Sequence, residues 1–187
     1  MNIKIAINLL TLSRIVLGIL FALFLLLPGG SLIGAFALYA LACATDILDG
    51  RLARRFGAVS PIGAKLDAIS DVTLLITAFC AMTTTHLMPW WMIIAALLKF
   101  IEFWVTSRIL TGVHNGNAPL FFDKLGRLSA ILMLALPLIV LPLYALLPFI
   151  ADILVTCLAE AVCLMAAGSS AYRIKRCIES KAEELSL

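Results

Sequence analysis

Six apolar stretches divide this chain, and polar or helix-breaking residues close each of them. A membrane-crossing helix needs about 20 mainly apolar residues. The pattern predicts helices at Ile15 to Leu27 with an amphipathic lead-in, Ser31 to Arg54, Gly63 to Thr85, Pro89 to Thr111, Leu125 to Leu146, and Phe149 to Tyr172. Pro28-Gly29-Gly30 closes the first stretch, Pro89 opens the fourth, and Pro142 with Pro148 is expected to bracket the turn between the last two, because Pro and Gly interrupt helical hydrogen bonding. Pro137 lies inside the fifth and is expected to kink it. The N-terminal MNIKIAINLLTLSR differs. Lys4, Asn8, Thr11 and Arg14 recur at helical spacing on one face, while Ile, Leu and Ala fill the other. That is the pattern of a segment, residues 1–14, lying in the membrane interface before the first span. Residues 173–187 read as a short charged tail. The expectation is one all-α domain over residues 1–187, a polytopic membrane protein with six transmembrane helices.

Composition agrees. The 187 residues are 63% hydrophobic and 13% charged, and the mean hydropathy is +1.11, which excludes an ordinary soluble domain. Lys and Arg gather in the N-terminal segment, the second-to-third connection, the fourth-to-fifth region and the tail, while the turns near Pro28, His86 and Leu146 have none. The positive-inside rule then places both termini on the cytoplasmic side of the membrane. No cleaved signal peptide is expected, since Ile3 to Leu27 offers no small-residue cleavage site and Pro28 leads directly into another span. The five cysteines, Cys43, Cys80, Cys157, Cys163 and Cys177, are scattered without zinc spacing or a disulfide framework. They read as small hydrophobes. His86 and His114 read as surface or loop residues.

Charge inside the apolar stretches carries the chemistry. Asp46 and Asp49 are i, i+3, and Asp67 and Asp71 are i, i+4, so each pair shares one face of its own helix. Carboxylates at membrane depth are costly and mark sites that face water. Two such helices side by side would aim four carboxylates at one point, the oxygen-rich set that hard cations such as Mg²⁺ and Mn²⁺ prefer. Two ions there would form the clamp used in phosphoryl-type displacements. Gly50 and Gly63 remove side chains where a ligand must come close, Ala53 lets something pack over it, and Arg54 offers a planar fork to phosphate oxygens.

Read as D-x2-D-G-x2-A-R-x8-G-x3-D-x3-D, Asp46 to Asp71 resembles the signature of the CDP-alcohol phosphotransferases (CDP-alcohol phosphatidyltransferases), matching every fixed position. These are integral membrane enzymes of phospholipid synthesis. The resemblance implies a CDP-linked donor whose pyrophosphate sits on two divalent cations, Mg²⁺ or Mn²⁺, while an alcohol attacks the phosphorus nearer the lipid and CMP leaves. Position by position, it implies Asp46, Asp49, Asp67 and Asp71 as metal ligands, with Asp67 and Asp71 as the catalytic pair and Asp71 as general base. Asp46, Gly50, Ala53, Arg54 and Gly63 would line the CDP site. Many relatives begin with Asn-x-x-Thr-x-x-Arg, matched by Asn8, Thr11 and Arg14, which are expected to help close the nucleotide site.

Farther along, Lys99 and Glu102 are i, i+3 inside the fourth stretch and read as a buried ion pair that fixes helix packing. Arg108, Lys124 and Arg127 are expected at the cytoplasmic ends of two helices, with His114, Asn115 and Asn117 between them and Asp123 as their one acidic neighbour. Family members with phosphorylated acceptors have a basic pocket in this region, so these three cations are the expected acceptor-binding residues. The short chain, the N-terminal motif and the basic cluster resemble the bacterial branch that uses CDP-diacylglycerol. Glycerol 3-phosphate is the expected acceptor, giving phosphatidylglycerophosphate. Ala68 and Val72 stand where many such synthases have Pro and Lys, which keeps inositol phosphate and serine open. Relatives commonly form homodimers, and Ala166, Ala167 and Gly168 would permit close helix approach. The expected location is a bacterial plasma membrane, with the site facing the cytoplasm. A divalent-cation transporter or channel would also place carboxylates in the membrane, but it needs a lined path from face to face. Apart from Glu102, Asp152 and Glu160 the remaining stretches offer almost nothing for an ion to follow. A structural pairing of the aspartates with Arg51, Arg54 and Arg55 would explain the charges, but not the glycines or the spacing.

Overall fold

In hydrocarbon a backbone has no water to satisfy its N–H and C=O groups, so a chain this apolar must close its hydrogen bonds within helices. The computed structural model, which describes residues 3–57, 61–113 and 124–185, contains six helices and no strand among them. They are α1 (Ile3–Leu26), α2 (Leu32–Arg55), α3 (Pro61–Thr84), α4 (Trp91–Val113), α5 (Lys124–Leu146) and α6 (Pro148–Leu185). Four of them contain stretches long and apolar enough to cross a bilayer: Leu32–Leu52, Leu66–Thr84, Leu128–Leu146 and Pro148–Lys175. Large apolar side chains such as Ile33, Phe149, Ile153 and Leu164 point outward, as lipid-facing positions do and a water-facing surface does not. The chain is an all-α, polytopic membrane-integral protein.

The helices follow the hydrophobic pattern closely but differ at three points. First, α1 runs without a break through the amphipathic lead-in, so residues 3–14 and the first apolar stretch form one helix. Second, Pro142 does not bracket a turn, because α5 continues through both Pro137 and Pro142 to Leu146. The sequence turn lies at Leu147, between α5 and Pro148, which opens α6 and suits the first helical turn, where no N–H partner is lost. Third, α6 does not stop at Tyr172 but extends to Leu185.

Packing brings the N-terminal half together first. Helix α1 lies against both α2 and α3, α5 bridges α2, α3 and α6, and α4 packs on α6 and α3. Small residues make the close approaches possible: Ala35, Ala42 and Ala78 are fully buried, and a Cβ on Gly18 would stand 3.1 Å from Leu74 of α3. The turn after α1 uses Gly29 at φ +87°, a conformation glycine adopts without steric cost. The rings of Phe21 and Tyr39 meet 5.4 Å apart, tilted by 59° to one another. The Tyr39 hydroxyl donates to the Leu134 carbonyl at 2.9 Å, joining α2 to α5. Thr73 and Thr84 donate to carbonyls one turn back in α3, and Thr85 just past its end does the same, so these three hydroxyls are satisfied locally.

A second polar contact ties α4 to α6. Lys99 donates to Glu102 at 2.9 Å, the pair expected from their spacing, and also to Ser169 and Ser170 at 3.1 Å each. Ser170 donates to the same carboxylate, and the buried Arg173 approaches it at 3.5 Å. Arg173 is therefore part of the packed bundle and not of a solvated tail. The side chain of Cys177 lies outside the described residues. The other four cysteines are free thiols, and Cys163 rests 3.5 Å from the Met92 sulfur.

Replacing Tyr39 by Phe keeps the ring but leaves the Leu134 carbonyl without that donor. Thermal unfolding in detergent should show a loss of about 1 kcal/mol; an unchanged melting temperature would remove this bond from the α2–α5 contact.

Candidate active site

Asp46 and Asp49 sit in the last three turns of α2, and Asp67 and Asp71 in the first three turns of α3. The chain leaves α2 through Phe56 and Gly57, the latter at φ +59°, so the two carboxylate-bearing ends are neighbours in sequence as well as in space. Helical spacing turns each pair to one face. Helix α1 crosses that face and places Arg14 between them.

Arg14 is completely buried and its guanidinium reaches all four carboxylates. Nη2 lies 2.8 Å from Asp46 and 2.7 Å from Asp49, while Nη1 lies 3.2 Å from Asp67 and also contacts Asp71. Thr11, one turn earlier on α1, donates to Asp49 at 3.1 Å. The four carboxylates are not equivalent. Side-chain exposure rises from 4% at Asp49 to 29% at Asp46, 35% at Asp71 and 47% at Asp67, so the site opens on the α3 side.

Charge decides what this arrangement can hold. Four ionised carboxylates against one guanidinium leave three negative charges uncompensated among the described contacts. At membrane depth such an excess calls for further cations. Asp46, Asp49 and Asp67 each offer an oxygen within 4.8 Å of the other two, close enough for one cation to draw on all three. All donors are carboxylate oxygen, so the set fits a hard divalent cation and not a thiolate- or imidazole-seeking one. Asp71 stands outside that trio and joins it through Arg14.

The structure thus brings together all four predicted aspartates and Thr11. Gly50 and Gly63 lie half-buried on α2 and α3, one residue after Asp49 and four before Asp67. Asn8, Ala53 and Arg54 fall on α1 and α2, and their side chains lie outside the described residues. The same holds for Arg108 near the end of α4 and for Lys124 and Arg127 in the first turn of α5, while His114, Asn115, Asn117 and Asp123 lie outside altogether. Arg51 and Arg55 are exposed, and among the described side chains the cation on the aspartates is Arg14 from another helix. Sequence reasoning grouped Arg14 with the nucleotide site and did not foresee this contact. The available signal was its place three residues after Thr11 on one polar stripe.

The sequence profile of the CDP-alcohol phosphatidyltransferase family matches residues 5–168. Among characterised sequences, the chain is 36% identical over 141 residues to the "Probable phosphatidylglycerophosphate synthase" of Mycobacterium tuberculosis, a stretch covering 73% of this chain and 66% of that protein. It is 37% identical over 92 residues to the "CDP-diacylglycerol--glycerol-3-phosphate 3-phosphatidyltransferase" of Pseudomonas fluorescens, covering 49% and 47%. It is 31% identical over 139 residues to the "Cardiolipin synthase (CMP-forming)" of Streptomyces coelicolor, covering 72% and 64%. The chain thus spans from about half to just under two thirds of the length of these relatives.

Burial separates two of the carboxylates experimentally. Asp49→Ala removes an acceptor from both Arg14 and Thr11 and should lower metal-free stability by about 1–3 kcal/mol. Asp67→Asn relieves repulsion at a half-exposed position and should leave the metal-free melting temperature equal or higher. Thermal unfolding in detergent with a chelator checks both; equal losses in the two variants would contradict the asymmetry.

Proposed function

Because this chain belongs to the CDP-alcohol phosphatidyltransferase family, we propose that it transfers a phosphatidyl group from CDP-diacylglycerol to glycerol 3-phosphate, forming phosphatidylglycerophosphate and releasing CMP. The observation that carries this is the convergence of Asp46, Asp49, Asp67 and Asp71 at one point of the bundle, within the stretch that the family profile matches. The activities for which the mycobacterial and Pseudomonas relatives are named support the acceptor.

Asp46, Asp49 and Asp67, with Asp71 beside them, would hold two divalent cations, Mg²⁺ or Mn²⁺. When bound, these supply charge neutralisation of the donor's pyrophosphate and of the departing CMP phosphate. Asp71, on the open side of the site, takes the proton from the attacking hydroxyl. A bond forms between that oxygen and the phosphorus bearing diacylglycerol, and the bond from this phosphorus to the oxygen retained by CMP breaks. Gly50, Ala53, Arg54 and Gly63 line the approach of the CDP group, with Asn8 and Thr11 closing it. Arg108, Lys124 and Arg127 receive the acceptor's phosphate.

Transfer of a lipid group suits a site that is reached both from the bilayer and from water. We infer that α1 and α4 join the four longer apolar helices as membrane spans, making six. The distribution of Lys and Arg supports placing both termini, the interfacial start of α1 and the active site on the cytoplasmic side of a bacterial plasma membrane. Pairing of two copies through α6, at Ala166, Ala167 and Gly168, completes the proposed homodimer. A carboxylate cluster gathered at one place, without a described acidic path beyond it, favours a transferase over a cation channel.

The test is CMP release by the purified protein with CDP-diacylglycerol and Mg²⁺ or Mn²⁺, offering glycerol 3-phosphate, inositol 1-phosphate, inositol and serine separately. Phosphatidylglycerol is a further arm, because one relative is named a cardiolipin synthase. CMP is expected with glycerol 3-phosphate, and Asp71→Asn should lower the rate at least about a hundredfold. Release with a different acceptor alone would reassign the product. An Asp71→Asn enzyme turning over near the parent rate would remove Asp71 from the base role.

A further inference from the structure

Resting on the transferase assignment above, we propose that Arg14 is an internal counter-cation that competes with divalent metal for the four aspartates and so sets the metal affinity of the site. Its two terminal nitrogens each lie against two carboxylates, one oxygen of each of Asp46, Asp49, Asp67 and Asp71, at the centre of the negative charge that a hard cation would seek. Each carboxylate keeps a second oxygen for a metal, so the competition is one of charge and space: a cation drawn to the same cluster is repelled by the fixed positive charge of Arg14. Metal entering the site works against that repulsion and favours a shift of the guanidinium away from it.

The surroundings allow this exchange. The Arg14 Nε is buried without a hydrogen-bond partner, so the guanidinium has one donor unmet, and each carboxylate keeps acceptor sites that Arg14 does not reach. Asp49 keeps a donor of its own in Thr11. Helix α1 is also held to α2 and α3 by contacts that do not involve Arg14, at Phe21 with Tyr39 and at Gly18 with Leu74. The helix stays docked when the guanidinium shifts. Without Arg14 the carboxylates would bind metal whenever it is present; with it, binding must overcome a tethered competitor.

The experiment is a Mn²⁺ titration of the full-length protein in detergent, read by the resonance signal of free Mn²⁺, alongside thermal unfolding with and without the ion. Arg14→Gln should bind Mn²⁺ about tenfold more tightly than the parent, because one positive charge has left the site. Its melting temperature should be lower than the parent's in chelator and should rise more on adding Mn²⁺. An arginine that serves only as scaffold gives the opposite sign, so equal or weaker binding by Arg14→Gln overturns the inference. Should that variant fail to fold, Arg14→Lys decides: its single ammonium reaches fewer carboxylates at once, and about threefold tighter binding is expected. Unchanged or weaker binding there overturns the inference as well. Asp46→Asn should weaken binding in either background. A parent protein that binds no Mn²⁺ would overturn the metal site of the proposed function, and this inference with it.

Discussion

One buried guanidinium among four carboxylates governs the organisation of this protein. A charge placed at membrane depth must find an opposite charge, hydrogen bonds or water, and Arg14 supplies the first two to residues from two other helices. Together with the packing of Phe21 on Tyr39 and of Gly18 on Leu74, the contact fixes which face α1 presents to α2 and α3 and how far along them it sits. Apolar packing cannot do this alone in a bilayer, because lipid tails compete with Leu for Leu and offer little preference of register. A polar contact with four acceptors leaves one arrangement far better than its neighbours.

The same logic recurs in the other half of the bundle on a smaller scale. Lys99, Glu102, Ser169, Ser170 and Arg173 join α4 to α6 through a polar group with both signs of charge. Between the two halves, α5 packs against α2, α3 and α6, and Tyr39 anchors it by a hydrogen bond to Leu134. Pro137 removes the N–H that would serve the Met133 carbonyl, so that bond lies next to a weakened stretch of helix. The two ionic contacts differ in kind. Lys99 and Arg173 compensate Glu102 within the helix pair, which suits a packing role, whereas among the described residues the aspartates exceed Arg14 by three charges, which suits ligand binding.

Much of this was legible from the pattern of the chain. Apolar runs bounded by Pro and Gly located the helices to within a few residues at most ends, and the i, i+3 and i, i+4 spacings identified the faces of Asp46, Asp49, Asp67 and Asp71 before any fold was known. Three features were not legible, each for a physical reason. Pro142 looked like a boundary because Pro breaks isolated helices, yet packing against α2 and α6 carries α5 through it. Arg173 looked like the start of a tail because positive charge usually marks the cytoplasmic edge, and the approach of Glu102 from another helix, which favours its burial, is not visible in the local pattern. Arg14 was visible as part of a polar stripe, but a stripe shows which residues share a face and not what that face meets. Long-range partners depend on how helices pack, and periodicity reports only on one helix at a time.

The asymmetry of the four carboxylates follows from where each lies along its helix, and it divides their work. Asp49 faces α1 most directly, so Thr11 and Arg14 enclose it and its oxygens serve first to hold the site in shape. Asp67 and Asp71 lie on the opening turns of α3, where exposure of 47% and 35% leaves room for a reagent to approach. Preorganised charge does most for a reaction when its supports are rigid and its reacting edge is accessible. A deep carboxylate locked to a neighbouring helix and shallower ones at the open edge meet those two needs separately. The enclosed part of the cluster rests on α2 and α1 and its accessible edge on α3, so the three helices build one site even though the signature aspartates come from only two of them.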